Sequence, residues 1–299
     1  MRRYDVLKEL GRGGTATVHL IASKTTKKQY ACKQIPKILD KKQHSQRKIE
    51  NHTKNVQREV AIMQKLQNQH NIVRLDEILE DEHYFYLVME NCKGGNITKF
   101  LENHENEIDE FKVRNIIKEC LKTLAICHDH DVIHNDIKPE NFLLEEKDDI
   151  RTIKLIDFGI SIDCTNTDDE YVFYESTPWY SSPESLSSKS SKKNDVWQIG
   201  VMTHLLLTGK FPFNDQQNPY KPSVYKIWNS VLNDTIDFQK QHWKSISDSG
   251  KDFIAKLLVK NPENRPTILE AMTHPWITND DSCIGKNLGI IKYFLLFDL

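Results

Sequence analysis

The chain has 299 residues, an apolar content of 38% and a formal net charge of −2. This length is enough for two lobes that each bury a core. Because neither sign of charge dominates, the composition argues against a dedicated nucleic-acid-binding or membrane-surface protein. No uninterrupted apolar run reaches the roughly 18 residues of a membrane-spanning helix, and the first residues lack the apolar segment of a signal peptide. Six scattered cysteines without a C-x-x-C pair are typical of a reducing compartment, so we expect a cytoplasmic or nuclear protein.

The first part of the chain is predicted to form an antiparallel meander and one helix. Short strand-like segments separated by glycine and lysine turns cover residues 4–35. From 45 to 66, apolar residues recur at the 3–4 spacing of an amphipathic helix. Two more strand-like segments, in NIVRLDEILE and YFYLVME, lead to the break Cys92-Lys93-Gly94-Gly95. We therefore expect a small strand-rich lobe over about residues 1–90 and a hinge at 90–95.

The rest of the chain is predicted to be mainly helical. Apolar residues recur at helical spacing in the segment 111–130, and the segments 251–258 and 267–272 are predicted to be further helices. The segment 195–207 is apolar nearly all round, which is typical of a helix buried at the centre of a domain. The pattern predicts an α+β fold with a larger helical lobe over about residues 96–277. The short tail 278–299 ends in an apolar stretch that we expect to pack on this lobe or to mediate association.

A glycine-rich segment follows the first predicted strand and contains Gly11, Arg12, Gly13, Gly14, Thr15, Ala16 and Val18. Its pattern is close to G-x-G-x-x-G-x-V, in which glycines let the backbone approach nucleotide phosphates, with alanine in place of the third glycine. Taken alone, the segment fits a plain turn better than a phosphate-binding loop. A second strand follows it, rather than a helix, which disfavours a dinucleotide-binding fold.

The strand Ala31-Cys32-Lys33 places a lysine in an apolar setting. A half-buried ammonium needs a partner anion, because an unpaired buried charge is costly. Glu59, on the predicted amphipathic helix, is the natural partner. Lys33 would then hold the α- and β-phosphates of a nucleotide while Glu59 fixes its ammonium. A purely structural ion pair remains the alternative at this point.

Two further motifs carry polar residues at spacings suited to phosphoryl transfer. In VIHNDIKPENFL, residues 132–143, Asp136 is a candidate base, Lys138 can neutralise phosphoryl charge, and Asn141 is a neutral oxygen ligand suited to Mg²⁺. In LIDFG, Asp157 follows a predicted strand and is a candidate charged ligand that bridges the metal to phosphates. Each motif has a simpler explanation, but their common order and separations favour one phosphotransfer site.

Together these motifs resemble those of eukaryotic-type protein kinases over residues 4–277. The segments VQREVAIMQKL, HYFYLVMENCKGG, STPWYSSPE, NDVWQIGVM and NPENRPT are similar, more narrowly, to the calmodulin-dependent and calcium-dependent serine/threonine kinases. The resemblance implies a bilobal protein kinase fold over 1–277 and a reaction that transfers the γ-phosphoryl group of ATP, with Mg²⁺, to hydroxyls of protein substrates. We expect a monomer.

The resemblance also implies roles for further residues. Met89 would be the gatekeeper, and the hinge from Glu90 to Cys92 would pair with adenine. Thr177, together with Lys138, implies serine and threonine acceptors. On the substrate side, Glu184 and Arg265 would form a buried anchor, Asp195 would brace the catalytic loop, and Glu140 would remain available to basic substrates.

Three residues depart from the family pattern, namely Ala16, Asn96 and Asn135. Asn96 stands where the calcium-regulated group usually has glutamate, so a preference for basic substrates is in doubt. Asn135 stands where relatives carry the arginine that binds a phosphate on the activation segment, and asparagine cannot form that bidentate clamp. We therefore favour the hypothesis of an active kinase that does not depend on such a phosphate. The alternative is a pseudokinase that acts as a nucleotide-binding scaffold or interaction module.

Regulation by calcium is not indicated by the sequence. The chain contains no D-x-[DN]-x-[DN]-G loop of the kind that binds calcium in EF-hands. The tail has only Lys286 and Lys292 as bases, which is few for a calmodulin target helix. We therefore expect neither calcium nor calmodulin to act through this chain.

Overall fold

The computed structural model describes residues 1–14, 16–38, 46–165, 177–187, 189–219 and 221–279. Three subjects of the predictions lie outside these residues: Thr15 of the glycine-rich segment, most of the activation segment including Thr167 and Ser176, and the apolar tail from residue 280 onward. The strands are β1 (Tyr4–Arg12), β2 (Thr17–Ser23), β3 (Gln29–Pro36), β4 (Leu75–Glu80), β5 (Tyr84–Glu90), β6 (Val132–Ile133), β7 (Phe142–Leu144), β8 (Ile153–Leu155) and β9 (Ile162–Asp163). The helices are α1 (Gln46–Leu66), α2 (Ile97–Asn103), α3 (Glu110–Asp129), α4 (Lys192–Thr208), α5 (Val224–Asn233), α6 (Asp248–Leu257), α7 (Ile268–Met272) and α8 (Pro275–Thr278).

These elements belong to two compact units. The first contains Met1–Gly94 and Leu144–Ile160, and the second contains Gly95–Leu143 and the described part of Ser161–Leu299. The expected α+β class, with an antiparallel sheet in one unit and mainly helices in the other, is confirmed. No helix within the described ranges combines the length and the apolar character needed to cross a bilayer.

The first unit is built on a five-stranded antiparallel sheet in the order β1-β2-β3-β5-β4. Strand pairing places Val18 opposite Lys33, and Ala31 opposite Met89. Because side chains alternate between the faces of a strand, these four residues share one face of the sheet. Cys32 points to the other face, where it packs with Ile21, Tyr86 and Val88.

The glycine-rich segment differs from its prediction at its start. We expected the first strand to give way to a turn at Gly11, but β1 continues through Arg12, because Gly11 pairs with Val18 and Arg12 with Thr17. A bulge between Glu9 and Gly11 takes up the irregularity of the strand. The chain leaves the strand only at Gly13, whose N–H donates to the Ala16 carbonyl at 2.9 Å.

The core of the second unit is formed around α4. Every residue of this helix from Asn194 to Thr208 is buried, as its sequence predicted. α4 packs against α3 and α6, and α3 also packs against α7. The contact with the end of α6 depends on Gly200, since a Cβ built there would lie 2.9 Å from the Cβ of Leu257 and 2.8 Å from Cδ2 of Leu258. The polar side chains of α4, such as Asp195 and Gln198, therefore lie in the interior on a closely packed helix.

Candidate active site

Three charged side chains from separate elements meet in the first unit. Lys33 lies on β3, Glu59 on α1, and Asp157 follows β8. The Lys33 Nζ lies 2.6 Å from Oε1 of Glu59 and 2.7 Å from Oδ1 of Asp157, so the predicted Lys33–Glu59 ion pair is present. The Glu59 side chain is buried and only 12% of the Lys33 side chain is exposed, whereas 45% of the Asp157 side chain is exposed. The Asp157 carboxylate is therefore open to solvent, while the two charged groups that hold it are largely shielded from solvent.

Burial and charge act against each other on this triad. Burial disfavours the charged ammonium, but the carboxylates of Asp157 and Glu59 outweigh it and raise the pKa of Lys33 above its ordinary value. Burial also raises the pKa of Glu59, while the Lys33 ammonium opposes that shift. Lys33 is consequently a fixed cation at physiological pH.

The backbone conformation at Asp157 and the glycine at position 159 leave room for the three charged side chains. Asp157 has a φ of +63°, a left-handed conformation that aspartate adopts more readily than most residues. Its Oδ1 accepts a hydrogen bond from the N–H of Gly159 at 3.3 Å. A Cβ on Gly159 would lie 3.2 Å from that Oδ1 and 3.6 Å from the Lys33 Nζ. The glycine of the LIDFG motif thus keeps a side chain out of the triad.

The predicted hinge is anchored in the first unit through Glu90. Its Oε1 lies 2.9 Å from the Nζ of Lys154 on β8, and it also accepts the N–H of Arg74 at 2.8 Å. Lys154 is buried and lies 3.6 Å from a second carboxylate, that of Glu145. Burial raises the pKa of the Cys92 thiol to about 12, with Glu90 adding to the shift. The Glu90 side chain is therefore bonded within the first unit, and the raised pKa of Cys92 keeps its thiol protonated and unreactive.

The catalytic-loop residues meet within the second unit. The Nδ2 of Asn141 donates to both the carbonyl and Oδ2 of Asp136, at 2.7 and 2.8 Å. The Nζ of Lys138 lies 2.9 Å from the same Oδ2 and 3.3 Å from Oγ1 of Thr177. The predicted base, its neighbouring cation and the threonine of the substrate-side segment therefore form one cluster.

The backbone of this loop is bonded to two side chains of α4. Asp195, which is fully buried, accepts the N–H of His134 at 3.0 Å and that of Asn135 at 2.8 Å. This is the brace that the sequence predicted for Asp195. Gln198, one turn further along, donates to the Asn135 carbonyl at 2.7 Å and accepts the N–H of Ile137 at 2.9 Å.

Asn135 itself is buried and has a φ of +65°. Asparagine is among the few residues that adopt the left-handed region readily, because its short polar side chain bonds locally. Its Oδ1 accepts a hydrogen bond from Ser190 Oγ at 3.1 Å. The residue that replaces the family arginine is thus integrated into the loop by hydrogen bonds.

The predicted pair of Glu184 and Arg265 is also present. Arg265 is buried, and its Nη1 and Nη2 donate to the two carboxylate oxygens of Glu184 at 2.6 and 3.1 Å, as the bidentate pair predicted. The guanidinium also lies 5.0 Å from the ring centre of Trp197 on α4. Glu140 is half-buried in the 3₁₀ turn Pro139–Asn141, and burial raises the pKa of its carboxyl group.

Sequence reasoning missed two residues of these clusters, Gln198 and Lys154. Each carried a signal. Gln198 is an amide within a segment that is otherwise apolar nearly all round, and a buried amide requires hydrogen-bond partners. Lys154 is a charged residue in the buried strand β8, where an ammonium requires a counter-ion.

Comparison with known proteins agrees with this geometry. The protein kinase domain family matches residues 4–277. Calcium-dependent protein kinase 17 of Arabidopsis thaliana is 36% identical over 277 residues, which are 93% of this chain and 50% of the relative. Calcium-dependent protein kinase 7 of Oryza sativa subsp. japonica is 35% identical over 274 residues, 92% of this chain and 48% of the relative. The chain thus spans about half the length of the curated relatives it matches, and it belongs to the protein kinase domain family.

Proposed function

We propose that the chain is a serine/threonine protein kinase that transfers the γ-phosphoryl group of ATP to hydroxyl groups of protein substrates. The observation that carries this proposal is the complete set of reacting side chains. The first unit supplies the triad Lys33, Glu59 and Asp157, and the second supplies Asp136 bonded to Lys138 and Asn141. Each set has the charges and hydrogen bonds that phosphoryl transfer requires.

In the first unit, the proposed task is to hold the nucleotide. Lys33 binds the α- and β-phosphates as a cation whose position is fixed by Glu59. Val18, Ala31 and Met89 share the sheet face of Lys33 and form an apolar surface suited to the adenine ring. The glycines of the segment 11–14 allow the backbone to approach the phosphates.

The residues fit Mg²⁺ by the chemistry of their oxygens. The Asp157 carboxylate is 45% exposed, and Asn141 uses its Nδ2 as a donor to Asp136, which leaves its Oδ1 to coordinate. When bound, Mg²⁺ neutralises charge on the transferring phosphate.

In the second unit, the proposed task is to activate the acceptor. Asp136 accepts the proton of the attacking hydroxyl through its carboxylate, which Asn141 orients by a hydrogen bond of 2.8 Å. Lys138 contacts that carboxylate and Thr177, so its charge lies where a transferring phosphoryl group is stabilised. The choice of serine and threonine over tyrosine rests on Lys138, on Thr177 and on the resemblance to serine/threonine kinases.

A phosphate-transfer assay tests this proposal. Purified chain is incubated with radiolabelled ATP, Mg²⁺ and peptide libraries, with and without calcium and calmodulin, beside an Asp157→Asn control. We expect label on serine or threonine peptides, lost in the control and unchanged by calcium or calmodulin. Incorporation no higher than in the control supports the pseudokinase alternative, and label on tyrosine contradicts the acceptor class.

We also propose that turnover is independent of a phosphate on the activation segment. Asn135 carries no charge to bind one, and its side chain accepts a hydrogen bond from Ser190. Replacing Thr165, Thr167 and Ser176 together by alanine should then leave turnover within a few-fold. A loss of about two orders of magnitude, with folding intact, contradicts this independence.

A further inference from the structure

One polar side chain of α4 has partners on both sides of the proposed base. The Nε2 of Gln198 donates to the Asn135 carbonyl at 2.7 Å, and its Oε1 accepts the N–H of Ile137 at 2.9 Å. The Asn135 carbonyl belongs to the peptide plane before Asp136, and the Ile137 N–H belongs to the plane after it. A single amide therefore bridges the two peptide groups that flank Asp136.

This bridge has a direct geometric consequence for Asp136. Peptide groups are planar, so the only soft backbone torsions of a residue are the φ and ψ angles between its two flanking planes. When one rigid amide bonds both planes, it fixes their relative orientation and with it the direction of the Cα–Cβ bond of Asp136. The carboxylate then needs only its bonds to Lys138 and Asn141 to set its remaining torsions.

The chemistry of the site selects glutamine. The two partners are one acceptor and one donor, so an amide satisfies both in only one of its two orientations. Gln198 is 4% exposed, and a buried amide without partners is costly. The hydrogen bonds of its Nε2 and Oε1 go to the loop, whereas the Thr203 hydroxyl of the same helix donates to the Ile199 carbonyl of α4 itself.

The same bridge explains how the loop accommodates Asn135. The left-handed φ of Asn135 directs its carbonyl to Gln198 and its N–H to Asp195, so both backbone groups of residue 135 are bonded to α4. The loop backbone is thereby held from inside the second unit. Because these bonds come from the backbone, they do not require a charged side chain at position 135.

We propose that Gln198 is a positioning residue for catalysis, whose amide fixes the backbone of Asp136 and so aims its carboxylate at the acceptor hydroxyl. The inference rests on the proposed kinase function. It assigns the preorganisation of the base to α4, rather than to an activation-segment phosphate.

Gln198→Met and Gln198→Glu test this assignment. Met has a similar shape and loses both hydrogen bonds, whereas Glu keeps an acceptor for Ile137 and loses the donor to Asn135. We expect each variant to lower kcat by about 10- to 100-fold, as a misplaced catalytic group does, while the KM for ATP stays within about two-fold. Hydrogen exchange at the Ile137 amide should accelerate in Gln198→Met.

Thr203→Val is the matched control, because it removes a buried hydrogen bond from the same helix without touching the loop. We expect it to lower the unfolding midpoint to a similar extent and to leave kcat unchanged. In an Asp136→Asn background, Gln198→Met should change the residual turnover by less than about two-fold, because a positioning residue acts through the group it positions.

The outcomes separate the inference from the function on which it rests. An inactive wild type contradicts the kinase assignment and the positioning role together. If the wild type is active, three results contradict the positioning role alone. Soluble Gln198→Met or Gln198→Glu keeps the wild-type kcat, or its loss of kcat equals that of Thr203→Val. The third is that Gln198→Met causes the same loss of turnover in the Asp136→Asn background as in the wild type.

Discussion

The two clusters of proposed reacting residues are held in different ways. In the first unit, Lys33, Glu59 and Asp157 come from three separate elements and are joined by ion pairs between side chains. In the second unit, Asp136 belongs to a loop whose backbone N–H and carbonyl groups are bonded to Asp195 and Gln198. The first cluster is therefore determined by which charged side chains are present, and the second by the path of the backbone.

This difference explains where the chain departs from its family. A substitution within the ion triad removes a charge that its partners need, because a buried charge without its partner is strongly destabilising. At position 135 the bonds to Asp195 and Gln198 come from the backbone N–H and carbonyl, which any residue except proline provides. Asn135 is therefore compatible with an intact loop.

The largest effect should come from removing the base itself. Asp136→Asn keeps the size of the side chain but removes the carboxylate that accepts the proton, so turnover should fall by about 1,000-fold. The unfolding midpoint should change little, because α4 still holds the loop backbone. Steady-state kinetics and circular dichroism melting measure both quantities, with the exposed Asp129→Asn as a control of the same chemistry. Turnover retained within ten-fold would contradict the role of Asp136.

Breaking the buried ion pair should destabilise the first unit. Glu59→Gln leaves the buried Lys33 with one carboxylate and should reduce the free energy of unfolding by about 3 kcal/mol. Glu80→Gln is the matched control, since Glu80 pairs with Lys37 but has 65% of its side chain exposed. The control should cost less than about 1 kcal/mol in urea unfolding. Equal losses in the two variants would show that burial of the pair does not matter.

The second unit should be acid-sensitive through one histidine. Burial lowers the pKa of His204 from its ordinary value of 6.5 to about 3, and it outweighs the opposing effect of the Lys210 carbonyl, which accepts a hydrogen bond from Nδ1 at 2.7 Å. A folded-state pKa below the unfolded one gives stability that is full above pH 6.5 and is lost as pH falls toward 3. Each pH unit within that window removes up to about 1.4 kcal/mol.

Urea unfolding of the wild type and of His204→Gln checks this sign. Between about pH 7 and pH 5 the wild type should lose about 2 kcal/mol more than the variant, because only the wild-type unfolded state gains the imidazole proton. Parallel losses would place the acid sensitivity in other groups.

The smallest effect concerns the backbone conformation of Asn135. At a φ of +65°, alanine is strained, so Asn135→Ala should reduce the free energy of unfolding by about 1 kcal/mol relative to Asn135→Gly, which adopts this region freely. Both variants lose the bond from Ser190, so their difference isolates the backbone. If Ala and Gly are equally stable, side-chain bonding rather than conformation determines this residue.

Much of the fold and of both clusters was predictable, because the signals are local or come in charged pairs. A segment that is apolar nearly all round indicated the buried helix α4, and a lysine in an apolar strand required a carboxylate, which Glu59 provides. The Arg265–Glu184 pair was implied only by the resemblance to protein kinases, and the structure contains it.

Other features required the coordinates. The path of β1 through Gly11 depends on a bulge, and no residue pattern near Gly11 specifies it. The sequence could indicate Gln198 as a buried amide but not its partners, because residues 135 and 137 lie more than 60 positions earlier in the chain. A neutral donor or acceptor does not identify its partner, because every peptide group of the chain offers both.

The glycine at the centre of α4 has a consequence for the catalytic loop. Gly200 allows α4 to lie against Leu257 and Leu258 at a separation that leaves no room for a Cβ. Because Asp195 and Gln198 project from the same helix, a methyl group at position 200 would displace the support to which the loop is bonded. A misplacement of about 1 Å in a catalytic group costs on the order of 100-fold in rate. Gly200→Ala should therefore lower activity as an active-site substitution does, although Gly200 acts only through the packing of α4.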